Sequence, residues 1–272
     1  MAMPDNAVEA PNPVIEVRSI TKRYGALTAL HGVDLALHPG EVVGLVGDNG
    51  AGKSTLIKIV SGATPPTSGD VYLDGRRVTF RSPVHARGQG IETVYQDLAL
   101  TPDLTVSENL FLGRELRRHG VLWPTRMLDR PRMNREAREQ LERLRISIDA
   151  NALATSLSGG QRQAIAVARA VAWGRRVILM DEPTAALGVE EQEKVEELIT
   201  EVRRGGIPVL LVSHNIPQVH SLCDRVVVLY HGRAVANLTK DEVDIEEIIR
   251  WITGAALAYE GRFGGGPTAD GN

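Results

Sequence analysis

A glycine-rich stretch at positions 47–55, "GDNGAGKST", has the residue types that bind phosphate. It fits the pattern G-x-x-x-x-G-K-[S/T], follows an apolar run typical of a strand and precedes a helical pattern. Backbone N–H groups at the start of that helix can point at nucleotide phosphates. Lys53 is expected to reach the β- and γ-phosphates, and Ser54 to ligate Mg²⁺. The predicted nucleotide-binding residues here are Gly47, Asp48, Asn49, Gly50, Ala51, Gly52, Lys53, Ser54 and Thr55.

Two carboxylates and a histidine follow other apolar runs. Asp181 and Glu182 come directly after "VILM", so we expect them at the carboxyl end of a buried strand, where open α/β sheets bind ligands. Asp181 suits a Mg²⁺ shell, and Glu182 suits a base that orients and deprotonates the attacking water. The alternative is that the pair only caps the next helix. His214 follows "PVLLVS", and this position favours a γ-phosphate contact over a structural role.

A second glycine motif, "LSGGQ" at 157–161, raises a separate question. Ser158 and Gln161 fit a capping box, which predicts a helix from Gly159 to about Trp173. Two glycines in a first turn cost about 1 kcal/mol each against alanine. The compensation is close approach of another group, and a helix start with free N–H groups attracts an anion. The sequence therefore has two anion-binding helix starts but one catalytic strand end.

The elements that position these residues alternate between buried strands and helices, which predicts an α/β fold with a parallel sheet. Alternating residues over 14–37 and turn signals at 74–75 and 231–232 indicate antiparallel hairpins. Residues 101–173 have a helical composition, typical of an insertion. The sequence predicts disordered residues at 1–13, one domain at 14–253 with a helical subdomain at about 97–173, and a Gly-rich, disordered tail at 254–272.

The composition is that of an ordinary globular protein. The 272 residues are 43% hydrophobic and carry a net charge of −3, which disfavours a general attraction to nucleic acid or anionic lipid. The single cysteine, Cys223, favours a reducing cytoplasm and is expected to be a buried hydrophobe. The first residues do not fit a signal peptide, and no apolar run reaches the roughly 20 residues of a membrane span.

Taken in order, "GDNGAGKST", "YQ", "LSGGQRQ", "VILMDEPT" and "SH" resemble the ATP-binding subunit of an ABC transporter over residues 14–252. The resemblance implies a P-loop NTPase, RecA-like core, with ATP and Mg²⁺ as ligands. It also implies two subunits packed head to tail, in which the "LSGGQ" helix of one closes over the ATP of the other. The second glycine motif would then complete the partner's site.

The resemblance assigns further roles to matching positions. Tyr24 would stack on adenine, and Gln96 would couple Mg²⁺ and water to the membrane subunit. His214 would clasp the γ-phosphate, which Ser158 and Gly160 would contact across the dimer. The trans-acting signature residues would be Leu157, Ser158, Gly159, Gly160 and Gln161. Ten arginines between Arg114 and Arg145 form either a solvated face, which we favour, or a docking patch for the membrane partner.

One position departs from the family pattern. The family usually has an aspartate four residues after its "DEPT" threonine, and this chain has Gly188, which puts coupling between the two ATP sites in doubt. "AALG", "VSENLFLGRE" and "WITGA" resemble the ATPases of bacterial monosaccharide importers of the ribose, xylose, galactose or fructose type. Many of these fuse two ATPase halves, and this single copy would work as a homodimer.

The resulting hypothesis is an ATPase subunit that energises import of a small sugar. It would work with an integral-membrane permease and, indirectly, a periplasmic sugar-binding protein, at the cytoplasmic face of the bacterial inner membrane. No nucleic-acid partner is expected. The alternatives are a soluble, non-transport ABC protein that clamps ribosomes or DNA, and an exporter subunit. The sequence does not name the sugar.

Overall fold

The computed structural model describes residues 12–95, 99–118, 127–185 and 187–259. The strands are β1 (Ile15–Tyr24), β2 (Leu27–Leu37), β3 (Val42–Val46), β4 (Ser68–Leu73), β5 (Arg76–Val78), β6 (Ile91–Val94), β7 (Val177–Asp181), β8 (Val209–Val212), β9 (Arg225–Tyr230) and β10 (Arg233–Thr239). The helices are α1 (Lys53–Val60), α2 (Pro83–Gly88), α3 (Val106–Leu110), α4 (Arg130–Arg143), α5 (Gly159–Trp173), α6 (Val189–Arg204), α7 (Ile216–Leu222), α8 (Ile245–Ile252) and α9 (Ala255–Tyr259).

A six-stranded sheet forms the centre of the fold, in the order β10-β9-β3-β8-β7-β6. All its neighbouring strands run parallel except the antiparallel edge pair β9–β10, so the predicted parallel sheet is confirmed. The phosphate-loop strand β3 lies between β8 and β9. The carboxyl ends of β3, β7 and β8 therefore meet along one edge of the sheet.

Both faces of this sheet are covered, because its strands are apolar at successive positions. In β3, Val42 and Val46 belong to the core shared with the helical residues 106–173, while Val43 and Leu45 face the core formed with α1 and the second sheet. All four side chains are fully buried. The strand that precedes the phosphate loop is thus held rigidly from two sides.

The second sheet is antiparallel, as predicted, and its four strands lie in the order β2-β1-β4-β5. The turns also match the sequence signals. Asp74 and Gly75 have φ values of 48° and 72°, and His231 and Gly232 have 46° and 75°. Positive φ at both central residues gives a two-residue hairpin whose twist matches the flanking strands.

The helical stretch predicted for 101–173 contains α3, α4 and α5, which share one continuous core with the six-stranded sheet. The C-terminal end differs from expectation. Residues 255–259, predicted to belong to the disordered tail, form α9, because Leu257 packs into the core and is only 4% exposed. Among the described residues, no helix is both long and apolar enough to cross a membrane.

Candidate functional site

The loop between β3 and α1 is shaped by glycines that no other residue could replace. Gly47 has a φ of 147°, and a Cβ there would lie 2.1 Å from the carbonyl oxygen of Leu229. Gly52 caps α1 with a φ of 108°, and its Cβ would lie 2.8 Å from the carbonyl oxygen of Ala29. Gly50, in contrast, has open space around it. The two outer glycines therefore fix the loop, and its middle faces solvent.

Lys53 is turned into this loop. Its side chain is buried, and Nζ donates hydrogen bonds to the carbonyl oxygens of Gly47 at 2.6 Å and Asp48 at 3.0 Å. Burial lowers the pKa of Lys53, against the opposing attraction of Glu182, Asp48 and Asp181. The ammonium thus lies among carboxylates and is held by the loop's own main chain. Beside it, Ser54 is exposed and Thr55 half-buried on the first turn of α1.

Asp181 and Glu182 lie at the carboxyl end of β7, as predicted. Burial raises the pKa of both carboxyl groups, and the nearby charge of Lys53 partly opposes this. The helix-cap alternative is wrong, because α6 begins only at Val189 and its N-cap is Gly188. Neither carboxylate therefore serves as the N-cap of α6.

Glu182 has a left-handed backbone, with a φ of 54°, which is uncommon for a residue with a side chain. Its N–H donates to the carbonyl oxygen of Val212 at 2.9 Å, which ties it to the end of β8. Strained backbone of this kind persists where the surroundings fix it, and it clusters at functional sites. The strain was not visible in the sequence.

His214 meets Glu182 across the gap between β7 and β8. Nε2 lies 3.3 Å from Oε1 of Glu182, and the His214 N–H donates weakly to Oε2 at 3.4 Å. The first contact allows charge attraction when the imidazole is protonated, but Oε1 accepts no hydrogen bond from the described residues although it is buried. This oxygen can therefore accept a hydrogen bond from an incoming water or hydroxyl.

The second glycine motif opens α5 as predicted. Ser158 Oγ accepts from the Gln161 N–H at 3.1 Å, and Gln161 Oε1 accepts from the Ser158 N–H at 2.9 Å, which completes the capping box. A Cβ on Gly159 would meet nothing within 4 Å. A Cβ on Gly160 would lie 2.1 Å from Cγ of Glu191 on α6. Gly160 is thus needed for close packing inside the chain, and only Gly159 leaves open space outside.

The start of α5 faces a cavity of about 890 Å³. Its walls include Ser158, Gly160, Gln161, Glu191 and Leu198, and no residue of the phosphate loop contributes to them. The structure therefore brings Lys53, Asp181, Glu182 and His214 together at one sheet edge, and places the second glycine motif on a different surface. Leu157, which precedes the cap, is buried.

Tyr24 and Gln96 are the two remaining predicted site residues. Tyr24 ends β1 and is 47% exposed, and Nζ of Lys22 lies 5.1 Å from the centroid of its ring. An exposed ring at a strand end is available for stacking. Gln96 lies outside the described residues.

A buried network behind the site was missed in the sequence. Thr184, Ser213 and Glu196 all hydrogen-bond to Gln218 of α7. The available signal was only that Gln218 lies four residues after His214. Among the described residues, no three His, Cys, Asp or Glu side chains are grouped to hold a metal ion.

The chain is similar in sequence to known proteins. The sequence profile described as "ABC transporter" matches residues 30–185. The chain is 47% identical to the fructose import ATP-binding protein of Rhizobium meliloti over 90% of this chain and 96% of that protein. It is 47% identical to the xylose/arabinose import ATP-binding protein of Sulfolobus acidocaldarius, over 90% and 95%. It is 44% identical to a ribose import ATP-binding protein of Rubrobacter xylanophilus, of which it spans only 48%.

Solved structures of ATP-binding cassettes superpose on this chain. A nucleotide-free ATP-binding cassette from an ABC transporter superposes with a TM-score of 0.75 at 27% identity, over 87% of this chain and 95% of that one. A dimeric, post-hydrolysis ATP-binding cassette bound to ADP and phosphate superposes with a TM-score of 0.70 at 28% identity, over 83% and 98%. On the matched profile and these identities, the chain belongs to the ABC transporter family and carries its ATP-binding domain.

Proposed function

We propose that this chain hydrolyses ATP to energise the import of a small sugar through a separate membrane permease. The observation that carries the chemistry is the convergence of Lys53, Asp181, Glu182 and His214 at the carboxyl ends of β3, β7 and β8. The sugar class is supported by relatives named for fructose and xylose/arabinose import that match along nearly their whole length.

Nucleotide binding would use the loop between β3 and α1. The residues Gly47 to Thr55 would surround the phosphates, with backbone N–H groups of the loop and of the first turn of α1 as donors. The Lys53 ammonium would exchange its two carbonyl partners, Gly47 and Asp48, for β- and γ-phosphate oxygens. A phosphate oxygen is a better partner than the neutral carbonyls, because its negative charge strengthens the hydrogen bond from the ammonium. Tyr24 would stack on the adenine.

The donor set near Lys53 fits Mg²⁺, a hard cation that takes oxygen ligands and keeps several waters and phosphate oxygens in its shell. The exposed hydroxyl of Ser54 and the carboxylate of Asp181 are such ligands, and Gln96 would add an amide oxygen. When bound, the ion would neutralise charge on the β- and γ-phosphates.

Glu182 would act as the base that orients and deprotonates the attacking water. Its buried Oε1 has spare hydrogen-bonding capacity, and its raised pKa brings it closer to the working pH of a proton acceptor. His214, whose ring is more than half exposed, would donate to the γ-phosphate while its main chain holds Glu182. Lys53 and His214 would together stabilise the charge that develops in the transition state.

The start of α5 would complete the ATP site of a second copy of the chain. There is open space at Gly159, and the cavity that the start of α5 faces has no residue of the phosphate loop in its lining. N–H groups in the first turn of a helix have no intrahelical acceptor, so they are suited to bind an anion. A head-to-tail homodimer brings Ser158, Gly159 and Gly160 of one copy to the γ-phosphate held by the other, with Leu157 and Gln161 supporting the turn. A related cassette has been solved as a dimer.

The partners would be an integral-membrane permease and, through it, a periplasmic sugar-binding protein, with the chain at the cytoplasmic face of the bacterial inner membrane. The test is to tag the chain in its host, purify it from detergent-solubilised membranes and identify the co-purifying proteins. We expect a multi-span permease, and ATP hydrolysis by the recovered complex that rises when the companion binding protein carries its sugar. Recovery of ribosomes, DNA-repair proteins or an exporter would refute the import function but not ATP hydrolysis.

A further inference from the structure

A buried side-chain network lies directly behind Glu182 and His214 and is centred on Gln218. Oε1 of Gln218 accepts hydrogen bonds from Thr184 Oγ1 at 2.9 Å and from Ser213 Oγ at 3.1 Å. Nε2 of the same amide donates to Glu196 Oε1 on α6 at 2.9 Å. Gln218, Thr184 and Ser213 are 4%, 5% and 2% exposed.

Two partners of Gln218 lie next to the site residues in sequence. Thr184 is the second residue after Glu182, and Ser213 immediately precedes His214. Ser213 Oγ also accepts from the N–H of Asn215, so the main chain on the far side of His214 is held as well. One amide oxygen therefore joins the loop after β7 to the loop after β8.

Chemistry fixes which way this amide points. An ionised Glu196 has only acceptors, so the Gln218 NH₂ must face it, and Oε1 is left for the two hydroxyls. Each hydroxyl is buried and would lose a hydrogen bond if the oxygen moved. Glu196 therefore orients Gln218, and Gln218 sets the distance between the two loops.

We propose that Gln218 is a positioning residue for ATP hydrolysis. It does not touch the nucleotide, but it holds the loops of Glu182 and His214 so that Oε1 and Nε2 of their side chains meet at 3.3 Å. Hydrolysis needs both groups on the same γ-phosphate and water, and small misplacements are costly for such geometry. Gln218 therefore affects the rate of the chemical step more than nucleotide affinity.

The test exchanges the side-chain types of Gln218 and Glu196. Gln218→Glu puts two carboxylates against each other, so the oxygen that serves Thr184 and Ser213 is displaced. We expect about a 10-fold fall in kcat, the size of effect of one lost hydrogen bond in the buried network, with KM for ATP within about 2-fold. Adding Glu196→Gln restores a donor opposite the new carboxylate, and kcat should return to within about 3-fold of wild type.

The measurement is ATP hydrolysis by the purified full chain with saturating Mg²⁺ and ATP, well below the lowest melting temperature among the variants. Exposed Gln89→Glu serves as the charge control and should leave kcat unchanged. Gln218→Met, which removes both the acceptor and the donor without adding charge, should lower kcat with little change in KM. A wild-type kcat in Gln218→Glu, or a double variant that remains as slow as the single one, would overturn the proposal. A rise in KM for ATP with an unchanged kcat would also overturn it.

Discussion

Replacing Gly159 by alanine should separate the stability of the α5 start from its capacity to receive a phosphate. A Cβ at this position meets nothing within 4 Å, and the residue already has a helical first-turn conformation. Alanine exceeds glycine in helix propensity by about 1 kcal/mol in a helix interior and by less in a first turn. The free energy of unfolding of the Gly159→Ala variant should therefore be about 0.5 kcal/mol higher than that of wild type. Stability should therefore be equal or higher.

Catalysis should respond in the opposite direction. The Cα–Cβ bond of a helical residue tilts toward the helix N-terminus, so the new methyl group would stand where the partner's γ-phosphate approaches. Loss of one charge-assisted hydrogen bond there corresponds to about 1.5–3 kcal/mol, or roughly a 10- to 100-fold lower turnover. Urea unfolding and steady-state ATP hydrolysis measure the two effects on one preparation.

Gly160→Ala is the matched control, one residue along. Its Cβ would lie 2.1 Å from Cγ of Glu191, so the variant should lose about 1–3 kcal/mol of stability by overpacking, reduced by the gain in helix propensity. Wild-type turnover in a fully stable Gly159→Ala variant would refute the proposal that a phosphate binds at the start of α5. Equal stability of both variants would refute the packing role of Glu191.

Three further predictions concern Glu182 and Asn109. Glu182→Gln should bind ATP, lose turnover and accumulate as an ATP-bound dimer in size-exclusion chromatography; full turnover would contradict its role as the base. Without nucleotide, the same variant should be more stable than wild type near neutral pH, because burial raises the pKa of Glu182 and the ionised form is disfavoured above the ordinary value of 4.5. Urea titrations at a series of pH values should show this advantage shrinking as the pH falls towards 4.5 and absent below it, and a difference that stays constant over this range would count against the prediction. Asn109 is fully buried, and its Nδ2 donates to the carbonyl oxygens of Thr101, Leu104 and Thr105, so Asn109→Ala should destabilise the chain by about 2–4 kcal/mol in urea unfolding. Asn134→Ala is the comparison variant and should cost less, because Asn134 is only half-buried and its side chain donates to Asn151 at the surface.

Local patterns were enough to predict the phosphate loop, both two-residue turns and the capping box of α5. In each case the signal lies within a few neighbouring residues, because backbone geometry and helix capping are short-range effects. The placement of Asp181 and His214 at one edge also followed, since parallel strands put their carboxyl ends together.

What the sequence did not reveal depends on contacts between distant parts of the chain. Gln218 and Thr184 are 34 residues apart, and nothing near either one indicates the bond between them. The left-handed backbone of Glu182 is imposed by the neighbouring strand β8 rather than by its own residue type. Local signals do not distinguish Gly159 from Gly160, and only the packing of α6 shows that the first is open and the second is closely packed.

The Glu191 side chain also links substitutions at nearby positions. It occupies the space beside Gly160, and its Oε2 would lie 2.7 Å from a Cβ at Gly188. An aspartate at position 188 would therefore place a second carboxylate next to Glu191, and the end of the Glu191 side chain would have to turn away from it. Positions 160, 188 and 191 are thus coupled through one side chain, so the effect of a substitution at one of them depends on the residues at the other two.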